Sequence, residues 1–243
     1  SRPEPGAEAR PRPSPRQEWA WVAVGLFTLL GAWLRLDRLE LMEYKFDEAE
    51  MYRLASLHAS GRFQLAGMTS GVGVQNPPVA VHLFSLVRAA SADPQSLVYL
   101  PVALGVLAVP LCFAVTRAAF GLTAGLAASL LFATAPWAVM YSRKVWAQDL
   151  LPCFTVVLMG CAVRLVRDRR PVFAGAFAVI LAIMVQIHYS ALALAAVGLA
   201  LMVMVRTRRV YAGWGVGVAL AALSFAPFLV YQARRGFEDV SKA

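Results

Sequence analysis

Long apolar runs separated by short charged stretches fill the chain from Trp19 to Tyr231. Most are close to the roughly 20 residues that cross a hydrocarbon core about 30 Å thick. The pattern predicts about seven spans, near 19–36, 96–116, 121–141, 150–166, 172–187, 188–205 and 212–231. The stretch 172–205 carries no charge beyond His188, and as one helix it would reach about 51 Å, too long for one crossing. Two passes with a tight turn at His188-Tyr189-Ser190 are expected instead. Residues 77–90 are too short to span and open with Pro77-Pro78, so they read as a re-entrant or interfacial helix. Residues 47–59 read as an interfacial amphipathic helix whose leading acids suit its N-terminal dipole. The fold class is therefore all-α: a polytopic integral membrane protein of about seven transmembrane helices plus outer-face juxtamembrane helices.

Composition sharpens this picture. Only 15% of the 243 residues are charged, against about a quarter in soluble domains. The net charge of +9 then belongs to membrane topology, and no nucleic-acid partner is assigned. If 77–90 does not cross, the basic N-terminal stretch, Arg117, the 164–170 arginines and the 206–209 arginines fall on one side. That side satisfies the positive-inside bias and is taken as cytoplasmic. Residues 1–18, rich in Pro and Arg, are expected to be a disordered cytoplasmic tail and lack the pattern of a cleaved signal peptide. Residues 232–243 are expected to be an outer-face segment continued in a longer protein. Cys112, Cys153 and Cys161 all lie inside apolar runs and read as packing residues.

With this topology the reactive groups gather at the outer face of a plasma (inner) membrane. Six carboxylates crowd residues 34–55: Asp37, Glu40, Glu43, Asp47, Glu48 and Glu50. The adjacent pair Asp47-Glu48 is the candidate catalytic base, one member accepting a proton from a hydroxyl while the other orients it or holds a cation. The bland alternative is a pair of helix-starting acids. Arg143 and Lys144 follow Trp137 and Tyr141 at the end of the third run. They read either as snorkelling anchors or as a cationic seat for a lipid phosphate, which guanidinium binds through paired hydrogen bonds. Asn76, Gln148, Asp149, His188 and Tyr189 are candidates for the surrounding substrate pocket. His58 and His82 have no partners at metal-ligand spacing, so no metal site is assigned. A divalent cation at the carboxylate pair is left open as a cofactor.

The ordered strings FDEAEMYRLA, NPPVAVHLFSL, LPVALGVLAVP, TRAAFGLTAGLAASLLFATAPWAVMYSRKVWAQDLLP and QIHYSALAL resemble the GT-C superfold of membrane glycosyltransferases. The similarity is greatest to the branch of protein O-mannosyltransferases and lipid A aminoarabinose transferases, and it covers about residues 34–231. The resemblance makes 19–231 a GT-C-like transmembrane module, with 34–95 its outer loop. It implies an outward-facing site, a polyprenyl-phosphate-linked sugar as donor and a hydroxyl acceptor on protein, lipid or polysaccharide. Asp47 takes the place of the family's base, and Ser142-Arg143 that of its Ser-Arg string. Asn76 and Tyr99 stand where the family often carries cations, so phosphate binding here rests on Arg143 and Lys144. The leaving polyprenyl phosphate is a stable anion, so one base and one cationic seat imply inverting single displacement. Two other readings are weighed: a transporter or lipid flippase, which would place charges at mid-depth, and a non-catalytic subunit that keeps the fold.

Overall fold

The computed structural model describes residues 15–71 and 73–241. Residues 1–14 of the expected tail lie outside them. The remainder of that tail is not tail-like, because the first helix, α1 (Pro15–Leu36), begins inside it. Proline is well placed there, since its fixed φ and missing N–H suit a helix's first turn.

Helices account for the fold, and no named strand occurs among the described residues. After α1 come α2 (Phe46–Ala59), α3 (Val79–Ala90), α4 (Tyr99–Phe120), α5 (Leu122–Thr134) and α6 (Pro136–Tyr141). Then follow α7 (Leu151–Asp168), α8 (Pro171–Ile187), α9 (Ala195–Met204), α10 (Arg208–Ser224) and α11 (Ala226–Arg234). Proline opens α6, α7, α8 and α11 at the first or second position. Two groups, α1–α4–α5 and α7–α8–α10, join through α4 and α7.

The apolar helices fit a membrane protein, with a smaller set of full-length spans than the seven expected. Glu18–Leu36, Pro94–Phe120 and Ala147–Asp168 are long and apolar enough to cross, and Arg208–Ser224 with Ala226–Arg234 makes a fourth if the pair counts as one span bent by 45°. The third predicted run is broken at Ala135, whose ψ of 123° is extended. Pro136 follows it, and a residue before proline is pushed out of the helical region. The chain also breaks at His188, as expected, with φ −158° and ψ 134°. A 3-10 turn over Tyr189–Leu194 leads on to α9.

α3 is too short to span, and it pairs with α2 in an antiparallel hairpin across one end of the bundle. The Tyr52 hydroxyl donates to the Ala92 carbonyl at 2.7 Å, and Arg88 Nε donates to Ser56 Oγ at 2.8 Å. α2 buries Glu48, Met51, Leu54 and Ala55, a single helical stripe, so it packs inward along that face. Beneath the hairpin, Met51, Val81 and Phe84 meet Leu97 from the 3-10 turn before α4, Leu150 from before α7 and Ile187 from the end of α8. These ends therefore share one side of the molecule.

α8 and α10 approach closely through Gly175, Gly213 and Gly217. A Cβ at Gly217 would lie 2.6 Å from the Gly175 carbonyl oxygen, whereas one at Gly215 would meet nothing within 4 Å. Gly217→Ala is expected to destabilise the protein by about 1–3 kcal/mol in detergent thermal unfolding. Gly215→Ala should be neutral or mildly stabilising. Equal behaviour of the two variants would show that this glycine contact does not hold the helices.

Candidate functional site

At the end of the bundle capped by the α2–α3 hairpin, two irregular segments are tied together: residues 37–45, after α1, and 142–150, before α7. Arg143 Nη2 donates to the Arg38 carbonyl at 2.7 Å. Glu43 pairs with both Lys45 and Lys144. The ammonium of Lys144 also sits 4.1 Å from the Trp146 ring centroid. Hydrogen bonding by Lys144 and then Lys45 holds the Glu43 carboxyl at about 2, well below the usual carboxylate range.

The Asp47-Glu48 pair is split by helical geometry, because adjacent residues point about 100° apart. Glu48 turns inward and is 1% exposed. Its Oε2 accepts the Lys45 backbone N–H at 2.9 Å, closing the first turn of α2. Its Oε1 is enclosed with no hydrogen-bond partner. Asp47 faces outward, exposed, with no hydrogen bond or ion pair to any described residue. Asp149 is 8% exposed, and its Oδ2 is likewise enclosed and unpaired. Lys144 and Glu48 both lie close enough to act on it electrostatically. Glu43, Glu48, Lys144 and Asp149 thus form one cluster of ionisable groups, with half-buried Gln148 next to Asp149 in the chain.

Two hollows flank α6. A groove of about 710 Å³ runs between α6 and the end of α1, its apolar wall including Leu34, Met42, Val139 and Met140. Arg38, Arg143 and Lys144 line its polar part together with Asp37 and Glu43. A cavity of about 390 Å³ lies on the other face, lined by Gly105, Phe132, Trp137, Tyr141, Ser142 and Asp149.

Three expected pocket residues do not join this cluster through any hydrogen bond. Asn76 closes a loop instead: its Nδ2 donates to the Met68 carbonyl at 2.9 Å, and its backbone pairs with Gly67 and Met68. The Tyr189 hydroxyl donates to the Gln75 carbonyl at 3.1 Å, holding the same loop from the α8–α9 break. His188 bonds Ser190 locally, with Nδ1 2.9 Å from Oγ. No group of three or more His, Cys, Asp or Glu able to hold a metal occurs among the described residues.

Arg35 was not singled out by its position in the sequence, yet it anchors the site. Its side chain is 0% exposed. Nη1 donates to the Gly31 and Ala133 carbonyls at 3.0 Å, and Nη2 to the Phe132 carbonyl at 3.1 Å. The only signal in the sequence is an arginine one residue inside an apolar run, a place where snorkelling is the ordinary explanation.

A second unexpected contact holds the 60–78 loop. The rings of His58 and His82 lie 4.2 Å apart, with Phe63 at 5.2 and 5.0 Å. His58 Nδ1 accepts the Gln64 N–H at 3.3 Å, and His82 Nε2 lies 2.8 Å from the Gln64 carbonyl oxygen. Burial, then the charge of His82, lowers the pKa of His58 from its ordinary 6.5.

Comparison with family models, curated proteins and solved structures finds no match to this chain.

Because the folded form of His58 resists protonation, its contribution to loop stability is complete above pH 6.5 and is lost as pH falls from there through the depressed folded value. After correction for intrinsic exchange, hydrogen-exchange protection of the Gln64 amide should fall on acidification across that window. A profile flat between about pH 5 and 8 would remove the histidine pair from the loop's stability.

Proposed function

We propose that this chain is the membrane-embedded part of a glycosyltransferase. It moves a sugar from a polyprenyl-phosphate donor to a hydroxyl acceptor at the outer face of the plasma membrane, and its seven predicted apolar runs cross or enter the bilayer. The observation that carries the reading is the meeting of an acidic cluster with a cation-lined apolar groove at one end of the bundle. A lipid phosphate needs such a place: an apolar wall for the first isoprenes beside fixed donors for the phosphate.

In this reading the phosphate lies against Arg143, with Arg38 and Lys144 beside it in the groove. Arg38 supplies positive charge that Asn76 and Tyr99 do not. Asp47 is the base, since it alone of the pair is exposed and unengaged; it lines neither the groove nor the cavity, so the acceptor hydroxyl must bridge from it to the bound donor. Asp47 takes the acceptor proton as the hydroxyl attacks the anomeric carbon, and the carrier phosphate leaves as an anion stabilised by the cations. One base and one cationic seat give inversion. The transporter alternative gains little from the enclosed Arg35, which lies near the end of its apolar run and whose two Nη groups hold the Gly31, Phe132 and Ala133 carbonyls, with only Nε left unpaired.

Asp47→Asn is expected to insert normally and to lower sugar transfer from a polyprenyl-phosphate donor by about 10²-fold or more. Wild-type turnover in purified Asp47→Asn protein would remove Asp47 from the mechanism. Orientation is checked separately on a background lacking Cys112, Cys153 and Cys161. A cysteine placed at position 47 should react with an impermeant maleimide from outside intact cells, and one at position 168 should be protected. The reverse pattern would turn the site to the cytoplasm, where the lipid-linked donor would lose its rationale.

A further inference from the structure

We propose that the 390 Å³ cavity on the Trp137 face of α6 receives the sugar ring of the donor, with the ring's hydroxyls donating to Asp149 and its C–H face resting on Trp137 and Tyr141. This rests on the glycosyltransferase reading above and adds where the sugar sits.

Asp149 lines the cavity and is more than nine-tenths buried, and no side-chain hydrogen bond from a described residue reaches its carboxyl; Oδ2 is sealed in, which leaves Oδ1 to meet an incoming donor. Buried carboxylates are rarely left so, and an incoming group that brings hydrogen-bond donors completes the site. The missing element is a donor more than a charge. Lys144 already acts on Asp149, and Arg35 lies just behind the cavity wall, where a Cβ at Gly105 would come within 2.9 Å of its Nε. A neutral polyol therefore fits this surrounding better than an ammonium ion.

The rest of the lining is mostly apolar, and its aromatic part suits a sugar's C–H face. Trp137 and Tyr141, four residues apart on α6, stack with ring centroids 5.5 Å apart and planes within 15°. Together they offer an extended aromatic surface, and the Trp137 side is 68% exposed and reachable. Aromatic rings pack well on flat apolar faces such as the C–H face of a pyranose. The cavity volume lies within the roughly 300–1,000 Å³ of small-molecule sites. The lipid groove and this cavity lie on opposite faces of the six-residue helix α6, and at its C-terminal end Tyr141 and Ser142 on the cavity side run directly into Arg143 and Lys144 on the groove side. A donor with its phosphate at that end can place its isoprenes on one side and its sugar on the other.

The test compares binding of radiolabelled polyprenyl phosphate with that of its hexose and pentose esters, using full-length protein in nanodiscs. Asp149→Asn should weaken the sugar-bearing lipid by about tenfold, the scale of a hydrogen bond whose acceptor becomes a neutral amide, and Trp137→Leu by a few-fold to about tenfold, the scale of a lost aromatic contact. Both variants should leave the sugar-free lipid unchanged, whereas Arg143→Gln should weaken both lipids alike. Equal loss of the two lipids in the Asp149 and Trp137 variants, or no loss of either, overturns the sugar assignment while the donor reading stands. Wild-type protein that binds neither lipid overturns the donor reading and this inference with it.

Discussion

The guanidinium of Arg35, closed off from solvent where α1, α4 and α5 meet, is the constraint on which the site depends. Taking such a charge out of water costs several kcal/mol unless its donors find acceptors. Here the two Nη groups find the Gly31 carbonyl on their own helix and the Phe132 and Ala133 carbonyls at the end of α5, while Nε is enclosed without a partner. The last carbonyls of a helix have no intrahelical partner and carry partial negative charge, so a cation is the natural group to close them. Space for the side chain comes from missing ones. A Cβ at Gly31 would sit 3.2 Å from Nη1, and one at Gly105 would sit 2.9 Å from both Nε and Ser142 Cβ. Arginine and glycines thus form one unit, and the end of α5 is held where α6 must begin.

That fixed end decides what α6 can present. The break at Ala135 turns the chain, and one short helix then becomes the wall between the groove and the aromatic cavity. The segment beyond it is tied back to residues 38–45 through Arg143 and Glu43, so the two irregular segments are held together. α2 begins within the same knot. Its first turn depends on Glu48 accepting the Lys45 N–H, and this bond sets Asp47 on the open face. Neighbouring acids that look equivalent in the chain therefore have different work: one is spent on structure and the other is left free.

Much of the architecture was legible because it follows from local physics. Apolar run length pointed to membrane-sized helices, the 34-residue uncharged stretch required a break, and it occurs at His188. Residues 77–90 were too short to span, and α3 is indeed a twelve-residue helix. Less visible were features that need a partner from far along the chain. The Ala135 break was written in Pro136, but an uninterrupted apolar pattern hid it. The bend between α10 and α11, with Pro227 at the start of the latter, was hidden in the same way. Asn76 was placed in the pocket because the predicted topology put it at the outer face, whereas its amide is consumed by the Met68 carbonyl. His58 and His82 carry no spacing signal, since an antiparallel hairpin brings them together. Arg35 shows the limit most clearly, because nothing near it in sequence announces carbonyls about a hundred positions away.

The two ends of the bundle use their arginines differently, and the contrast bears on what each end can bind. At the far end, Arg167 closes the Ala118 carbonyl near the end of α4, and Arg164 pairs with Asp168 at 3.0 Å while lying over Phe173. Those cations finish helices. At the near end the lysine is already committed: Lys144 is held by Glu43 and by the Trp146 face, so an anion must displace a carboxylate to reach it. Arg143 gives one N–H to the Arg38 carbonyl and has others of its five free for an incoming group. A planar fork with spare donors matches phosphate oxygens better than an engaged ammonium does. The arginine is therefore the group equipped to hold an anion, and the lysine serves to keep Glu43 ionised and the two loops joined.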